Sequence, residues 1–470
     1  MFELDLSYSI LLILCLIATC GFEFVNGFHD TANAVATVIY TNTLKPWIAV
    51  IWSGFCNFLG VLLGGVGVAM AIVNLLPVET LVDQNITHSI SMIMAILLSA
   101  IFWNLLTWYL GIPCSSSHTL IGSIIGVGIA FSMLPESHST AVNWAKAEEM
   151  GFSLLISPIF GFSLTIILMF VIRNLTKKTE YGDSLFKEPK KNQPPPLWIR
   201  SILFLTCTGV SFFHGQNDGQ KGVGLIMLVL ICVVPSYFAL NNDISPLSLS
   251  PALARIENTT NVIDSTSLSE PDRAKLKTTR QLTHSLIGIV HAAPDVSSIE
   301  KNDRFVIRKD IVIIDRNLRS LIGKEEARVS TADKKILDTN LKSIRGITDY
   351  SPRWVIMLIS ISLGLGTMIG WKRIVKTIGE KIGKEHLSYA QGASAELVAA
   401  STIAVSTYLK LPVSTTHVLS SGIAGSMVAS KGVKNLQPDV VRNILIAWLL
   451  TLPVVMLLSG SLFLLFRNIF

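Results

Sequence analysis

PCSSSHTLIGSIIG, residues 113–126, returns near the other end of the chain as PVSTTHVLSSGIAG, residues 412–425. Six of the 14 positions are identical, and Ser116 and Ser117 stand opposite Thr415 and Thr416. A second pair precedes each copy: NGFHDTANAVAT (Asn26–Thr37) and HGQNDGQKGVGL (His214–Leu225), aligned on Asp30 and Asp218. Asp30 and His118 are 88 residues apart. Asp218 and His417 are 199 apart, and leaving out the 110 residues of 241–350 reduces that to 89. Two motifs in the same order at the same spacing describe a duplicated chain. Internal repeats in an apolar chain are the mark of secondary transporters, which bind substrate near the midplane where the repeats meet.

The rest of the sequence fits a membrane protein. Half of the 470 residues are apolar and only 15% are charged, with a mean hydropathy of +0.55. That is too apolar for a soluble domain and too weakly charged for a disordered chain. Stretches at 7–22, 47–76, 89–110, 112–134, 151–172, 201–239, 354–371, 388–409, 411–430 and 443–466 approach or exceed the roughly 20 apolar residues that cross a bilayer as helix. Two of them, 47–76 and 201–239, are long enough to bend or to hide a break. The expectation is an all-α polytopic membrane protein of about 10–12 crossing or re-entrant segments, with its two repeats inverted in topology.

The net charge of +6 does not imply nucleic acid, because the basic residues sit in short loops between apolar stretches. By the positive-inside rule the basic loops at 173–200 and 372–384 are cytoplasmic, and 77–88, without Lys or Arg, faces outward with the acidic N-terminus. The N-terminus lacks a basic n-region, so the first apolar stretch reads as a retained helix. The six cysteines lie in apolar segments without short-range partners and read as buried, inert thiols.

Residues 241–350 are polar and carry both signs of charge. Ile307, Ile311, Ile314, Leu318 and Leu321 recur at helical spacing, and Ser330 before Asp333 reads as a helix start. The expected organisation is a first membrane repeat (1–172), a basic cytoplasmic linker (173–200) and the start of the second repeat (201–240). The extramembrane helical insert (241–350), placed outside, and the remainder of the second repeat (351–470) complete it.

Asp30 and Asp218 lie in or beside apolar helices, where a carboxylate is costly and usually functional. The small residues around them suggest a helix interrupted at membrane depth, whose freed carbonyls and carboxylate would bind a cation. The hydroxyl motifs begin with a helix-breaking Pro. A helix starting there aims unpaired N–H groups and its positive dipole end at one spot, and hydroxyls add donors without fixed charge. Ordinary hydroxyl capping is the bland alternative, and the duplication argues against it. Glu23 and Glu396 sit in apolar contexts, either lining a cavity or packing. His29, His214, His118 and His417 are open to proton relay or to structural roles. Lys221 is a lone lysine in a long apolar run. No Walker A loop, zinc-type His/Cys spacing or nucleophile elbow occurs, so an ion gradient, not ATP, would drive transport, and no enzyme activity or cofactor is expected. His118 beside Ser117 is only a poor hydrolase pair.

With both motif pairs in hand, the chain resembles the PiT family of inorganic phosphate transporters, and within it the bacterial low-affinity Pit proteins. The residues that carry the resemblance are NGFHDTANAVATVIYT (26–41), SSSHTLIG (115–122), HGQNDGQKGVGLIMLVLI (214–231), IGWKR…TIGEKIG (369–383) and PVSTTHVLSS (412–421). The resemblance implies re-entrant helical hairpins carrying the hydroxyl motifs, in the cell (inner) membrane. It implies phosphate held by Ser115, Ser116, Ser117, Ser414, Thr415 and Thr416, and a coupling cation held or relayed by Asp30, Asn33, Asn217 and Asp218. The expected partners are inorganic phosphate, a proton or sodium, and the lipid bilayer. A homodimer is compatible with the reading.

Two departures from the family's GANDxANA pattern matter. His29 stands where Asn is usual in the first copy, and Lys221 replaces the second Asn in the second. A permanent cation argues against sodium there, and His29 leaves proton coupling open, along with a neutral divalent metal–phosphate complex as cargo. The competing readings are a sodium-coupled phosphate symporter, a symporter of another oxyanion such as sulfate, and a membrane sensor using the insert as ligand-binding domain.

Overall fold

The computed structural model describes all residues except 1, 77–85, 135–141, 191–192, 328 and 470. Most of the loop expected to face outward, 77–88, therefore lies outside the described residues, as does Lys191 of the basic linker. Among the described residues the α-helices of about seven residues or more are, in chain order, α1 (Leu6–Tyr40), α2 (Pro46–Leu63), α3 (Gly67–Val73), α4 (Ile86–Leu110), α5 (Ser116–Ser132), α6 (Trp144–Thr176), α7 (Glu180–Phe186) and α8 (Leu197–Val233). Then follow α9 (Ser250–Val262), α10 (Glu270–His291), α11 (Lys301–Ile322) and α12 (Thr331–Arg345). The last four are α13 (Arg353–Thr367), α14 (Tyr389–Tyr408), α15 (Thr415–Lys431) and α16 (Pro438–Arg467). Two compact units result: residues 2–3 with Leu230–Tyr350, and Leu4–Val229 with Ser351–Phe470.

Every apolar stretch expected to enter the membrane contains a helix of the larger unit. Among the described residues six helices are long and apolar enough to cross a bilayer: α1, α2, α4, α6, α8 and α16. A seventh forms if α13 and the following Lys372–Lys381, bent by 53°, count as one span. The shorter α5 and the small-residue-rich α14 and α15 make up the rest. The stretch 47–76 does hide a break, between α2 and α3.

The expected interruption at the Asp motifs is not there. Both α1 and α8 run unbroken through them. The small residues serve close helix packing instead. A Cβ on Gly27 would lie 2.6 Å from the Leu363 carbonyl oxygen, and one on Gly366 2.2 Å from that of Phe24, so α1 and α13 touch backbone to backbone. Gly60 and Gly215 do the same for α2 and α8, at 2.1 Å from Phe212 O and 2.3 Å from Asn57 O. Small residues at such contacts are how membrane helices associate when lipid is as apolar as the side chains. Further along the chain, α5 packs on α16 and α15 on α6. Both α6 and α16 carry an internal proline, Pro158 and Pro453 respectively.

The smaller unit is a bundle of α9–α12. Ile307, Ile311, Ile314, Leu318 and Leu321 are all buried along α11, as the helical period requires. Ser330 caps α12, its Oγ accepting from the Asp333 N–H at 3.1 Å. Arg308 is buried and donates to the Ala239 and Thr348 carbonyls at 3.1 and 2.7 Å, tying together the chain segments that enter and leave the bundle. Burial pushes the Asp310 carboxyl up to about 6. A carboxyl raised above its unfolded value lets the fold weaken as pH climbs from about 4 to 6, because the folded state resists ionisation. Asp310→Asn is therefore expected to slow hydrogen exchange across α11 in the full-length protein at pH 7.5. The difference from wild type should vanish toward pH 4. An equal difference at both pH values would show that ionisation is not the cause.

Candidate functional site

The hydroxyl motifs form the first turns of α5 and α15, and the two copies are built alike. Ser115 caps α5, its Oγ accepting from the His118 N–H at 3.2 Å. Ser414 caps α15, accepting from His417 N–H at 3.1 Å. The first hydroxyl of each motif is thus a cap, as the bland reading allowed, although each keeps its own hydrogen to donate. The remaining hydroxyls look outward from the helix. Ser116 donates to Asp30 Oδ2 at 3.2 Å and Thr416 to Asp30 Oδ1 at 2.6 Å, so one carboxylate joins both motifs. Ser117 donates to the Val413 carbonyl at 2.8 Å. Thr415 Oγ1 is buried without a partner among the described residues.

The third residue after each Asp reaches the motif of the other repeat. Asn33 donates to Thr416 Oγ1 at 3.0 Å. Lys221 occupies the corresponding place on α8 and donates to Ser117 Oγ at 2.5 Å. Its Nζ also lies 2.7 Å from Asp218 Oδ1. The duplicated pair is therefore chemically unequal: a neutral amide serves one side and a buried ammonium the other.

Asp30, Asp218 and His214 converge, each offering one ligand atom, with those atoms within 4.8 Å of one another. His214 Nε2 is 3.6 Å from Asp30 Oδ2 and 3.6 Å from Asp218 Oδ2. Its Nδ1 lies 2.7 Å from Asn57 Oδ1, and Asn57 Nδ2 donates to Thr367 Oγ1 at 3.2 Å. That network assigns the proton to Nδ1 and leaves the Nε2 lone pair facing two carboxylates. Such a point takes either a proton on Nε2 or a metal cation.

The other expected residues have the following surroundings. His29 bridges Asp30 Oδ1 (3.4 Å) and Thr107 Oγ1 (3.3 Å). Asn217 faces the segment before α15, donating to Thr407 and Leu411 and accepting from Val413 N–H, a brace for that segment. Glu396 accepts from Thr37 and Thr206. The rings of His118 and His417 meet at 4.5 Å, and His417 stacks on Trp448 at 3.8 Å. Glu23 lies buried beside α8. Asn57, Thr107, Thr206 and Trp448 escaped the sequence reading. Their only signal is a polar or indole group inside an apolar run.

An all-helical chain with these apolar helices and a buried, charged site drawn from two copies of one motif set is a multi-pass membrane protein. Residues 26–459 match the phosphate transporter family, and the chain belongs to it. It is 38% identical to the low-affinity inorganic phosphate transporter PitB of Escherichia coli K12, over 98% of this chain and 97% of that one. PitA of the same organism is 39% identical with the same coverage. A solved structure, the sodium-dependent phosphate transporter, superposes with a TM-score of 0.57 at 20% identity, covering 98% of this chain and all of that one. At that identity the likeness speaks to the fold.

Proposed function

We propose that the protein is a secondary active symporter that imports inorganic phosphate across the cell (inner) membrane on a proton gradient. In this reading its two halves are inverted-topology repeats, and α5 and α15 belong to re-entrant hairpins. The observation that carries it is the Lys221 ammonium, 2.7 Å from Asp218 and 2.5 Å from Ser117. It places a fixed positive charge between one motif carboxylate and one motif hydroxyl, where a sodium ion would otherwise be needed.

Phosphate would enter by an exchange of donors. Ser116 and Thr416 now give their hydrogens to Asp30. Rotation about one bond turns both hydroxyls to phosphate oxygens, and the P–OH of phosphate takes their place on Asp30. Thr415 adds an uncommitted donor from the first turn of α15, and Ser117 adds one by turning its hydrogen from the Val413 carbonyl, with the positive ends of two helices behind them. Sulfate has no proton to give near neutral pH and would leave Asp30 bare and buried, which selects against it. The convergence of Asp30, His214 and Asp218 supports a divalent metal–phosphate complex as the transported species, with the metal as cargo.

Counterflow and accumulation of labelled phosphate in proteoliposomes, with sodium, proton and magnesium gradients varied in turn, test the reading. Accumulation should follow the pH gradient and ignore sodium. Labelled sulfate transported as well as phosphate would refute the donor exchange. Ser116→Ala and Thr415→Ala are each expected to weaken phosphate binding by about 1 kcal/mol or more, the loss of one hydrogen bond to a charged group. Equilibrium binding of labelled phosphate to purified protein reads this directly. Unchanged binding in both would reduce these residues to helix-end structure.

A further inference from the structure

Glu23 is fully buried, and the exchange described above gives it no task. Glu396, the other buried glutamate among the described residues of the membrane unit, has threonine hydroxyls on both oxygens. Among the described residues Glu23 has one long hydrogen bond, from Asn26 Nδ2 to Oε2 at 3.3 Å, and its Oε1 has no partner. A carboxylate ion so poorly supported is costly in a membrane interior, and a neutral acid costs far less.

Its position is set by a glycine. His214, Asp218 and Gly222 follow at four-residue spacing and lie one above another on α8. A Cβ at Gly222 would come 2.3 Å from Glu23 Cγ and 2.7 Å from Oε1. Glu23 thus reaches from α1 into the notch where a side chain of α8 is missing. It becomes the next acidic group in the row after Asp218. The ionisable groups facing it are Cys20 and Asp30 from its own helix and Asp218 and Lys221 from α8.

We propose that Glu23 carries the proton of the transport cycle, and that its protonation state decides whether Lys221 pairs with Asp218 alone or is shared with Glu23. The carboxylate takes a proton from water on the outer side to become the neutral acid. On the inner side that O–H bond breaks and the proton leaves to water, so one proton enters per cycle and no electrons move. Neutral Glu23 leaves Lys221 to Asp218 and Ser117. Ionised Glu23 offers the ammonium a second carboxylate beside the next residue of α8. Because Lys221 also holds Ser117, the exchange reaches a hydroxyl of the phosphate site, which is what coupling requires.

The inference rests on the proton-driven import proposed above, and full-length protein in proteoliposomes separates the two. Labelled-phosphate counterflow at equal pH needs no net proton movement; accumulation under an imposed pH gradient does. Glu23→Gln should lower accumulation at least tenfold while counterflow stays above a third of wild type. Glu23→Asp, which keeps an acid but withdraws it from the notch, should retain accumulation with its pH profile displaced. Wild-type accumulation in the Gln variant, or loss of counterflow along with accumulation, overturns the proposal. If the Gln variant fails to reach the membrane, an undisplaced profile or lost accumulation in the Asp variant does the same. A wild-type protein indifferent to the pH gradient refutes the proton-driven reading itself, a result distinguishable from either mutant outcome.

Discussion

Asp30→Asn should reduce concentrative phosphate uptake by two orders of magnitude or more while the protein still reaches the membrane. Asp30 is the one carboxylate on which both hydroxyl motifs meet, through Ser116 and Thr416, with His29 and His214 beside it. Hydrogen bonds to a charged group are worth about 1.5–3 kcal/mol each, and each 1.4 kcal/mol is a factor of ten. An amide would keep one acceptor and turn an NH₂ toward donors. It would also take the charge from the cluster that gathers around His214 Nε2. Asp218→Asn should act as strongly for a different reason, because it strands the Lys221 ammonium, and an unpaired buried charge costs about 3–5 kcal/mol. Labelled-phosphate uptake in vesicles, normalised to the amount of protein in the membrane, measures both. Uptake near the wild-type rate in either variant removes that residue from the site.

What was legible in the sequence follows the range of each physical signal. The α11 core positions and the Ser330 cap were readable because a helical period and a cap are local. The two motif pairs were readable because duplication repeats a short pattern. The error at Asp30 and Asp218 has an equally plain cause. Glycine and other small residues mark either a break or a close approach, and the deciding partners, Leu363 and Gly366 for α1 and Asn57 and Gly60 for α8, lie in distant parts of the chain. The same reason hid the site's supports. Asn57, which orients His214, and Thr107, which contacts His29, stand alone in apolar runs with no pattern to single them out. Asn217, next to Asp218 in sequence, points instead at the segment before α15, since neighbours on a helix are turned by about 100°.

Lys221→Asn is the change that bears on the coupling ion, and the protein supplies its own reference for it. Asn33 holds the equivalent place in the first copy and makes a neutral hydrogen bond to Thr416 at 3.0 Å. An Asn at 221 would make the second half resemble the first and return the motif toward the GANDxANA pattern. It would also remove the ammonium 2.7 Å from Asp218 and 2.5 Å from Ser117. Asp218 would then be a buried carboxylate with no cation, facing a space shaped for one. Proton-driven phosphate accumulation should fall at least tenfold, since truncating one partner of a buried pair costs about 3–5 kcal/mol. A mobile cation should partly replace the lost charge, so added sodium should raise uptake in the variant and leave the wild type unmoved. Uptake assayed in proteoliposomes with and without sodium, at fixed pH gradient, reads both effects. If the wild type already needs sodium and ignores the pH gradient, Lys221 does not stand in for the ion, whatever the variant does.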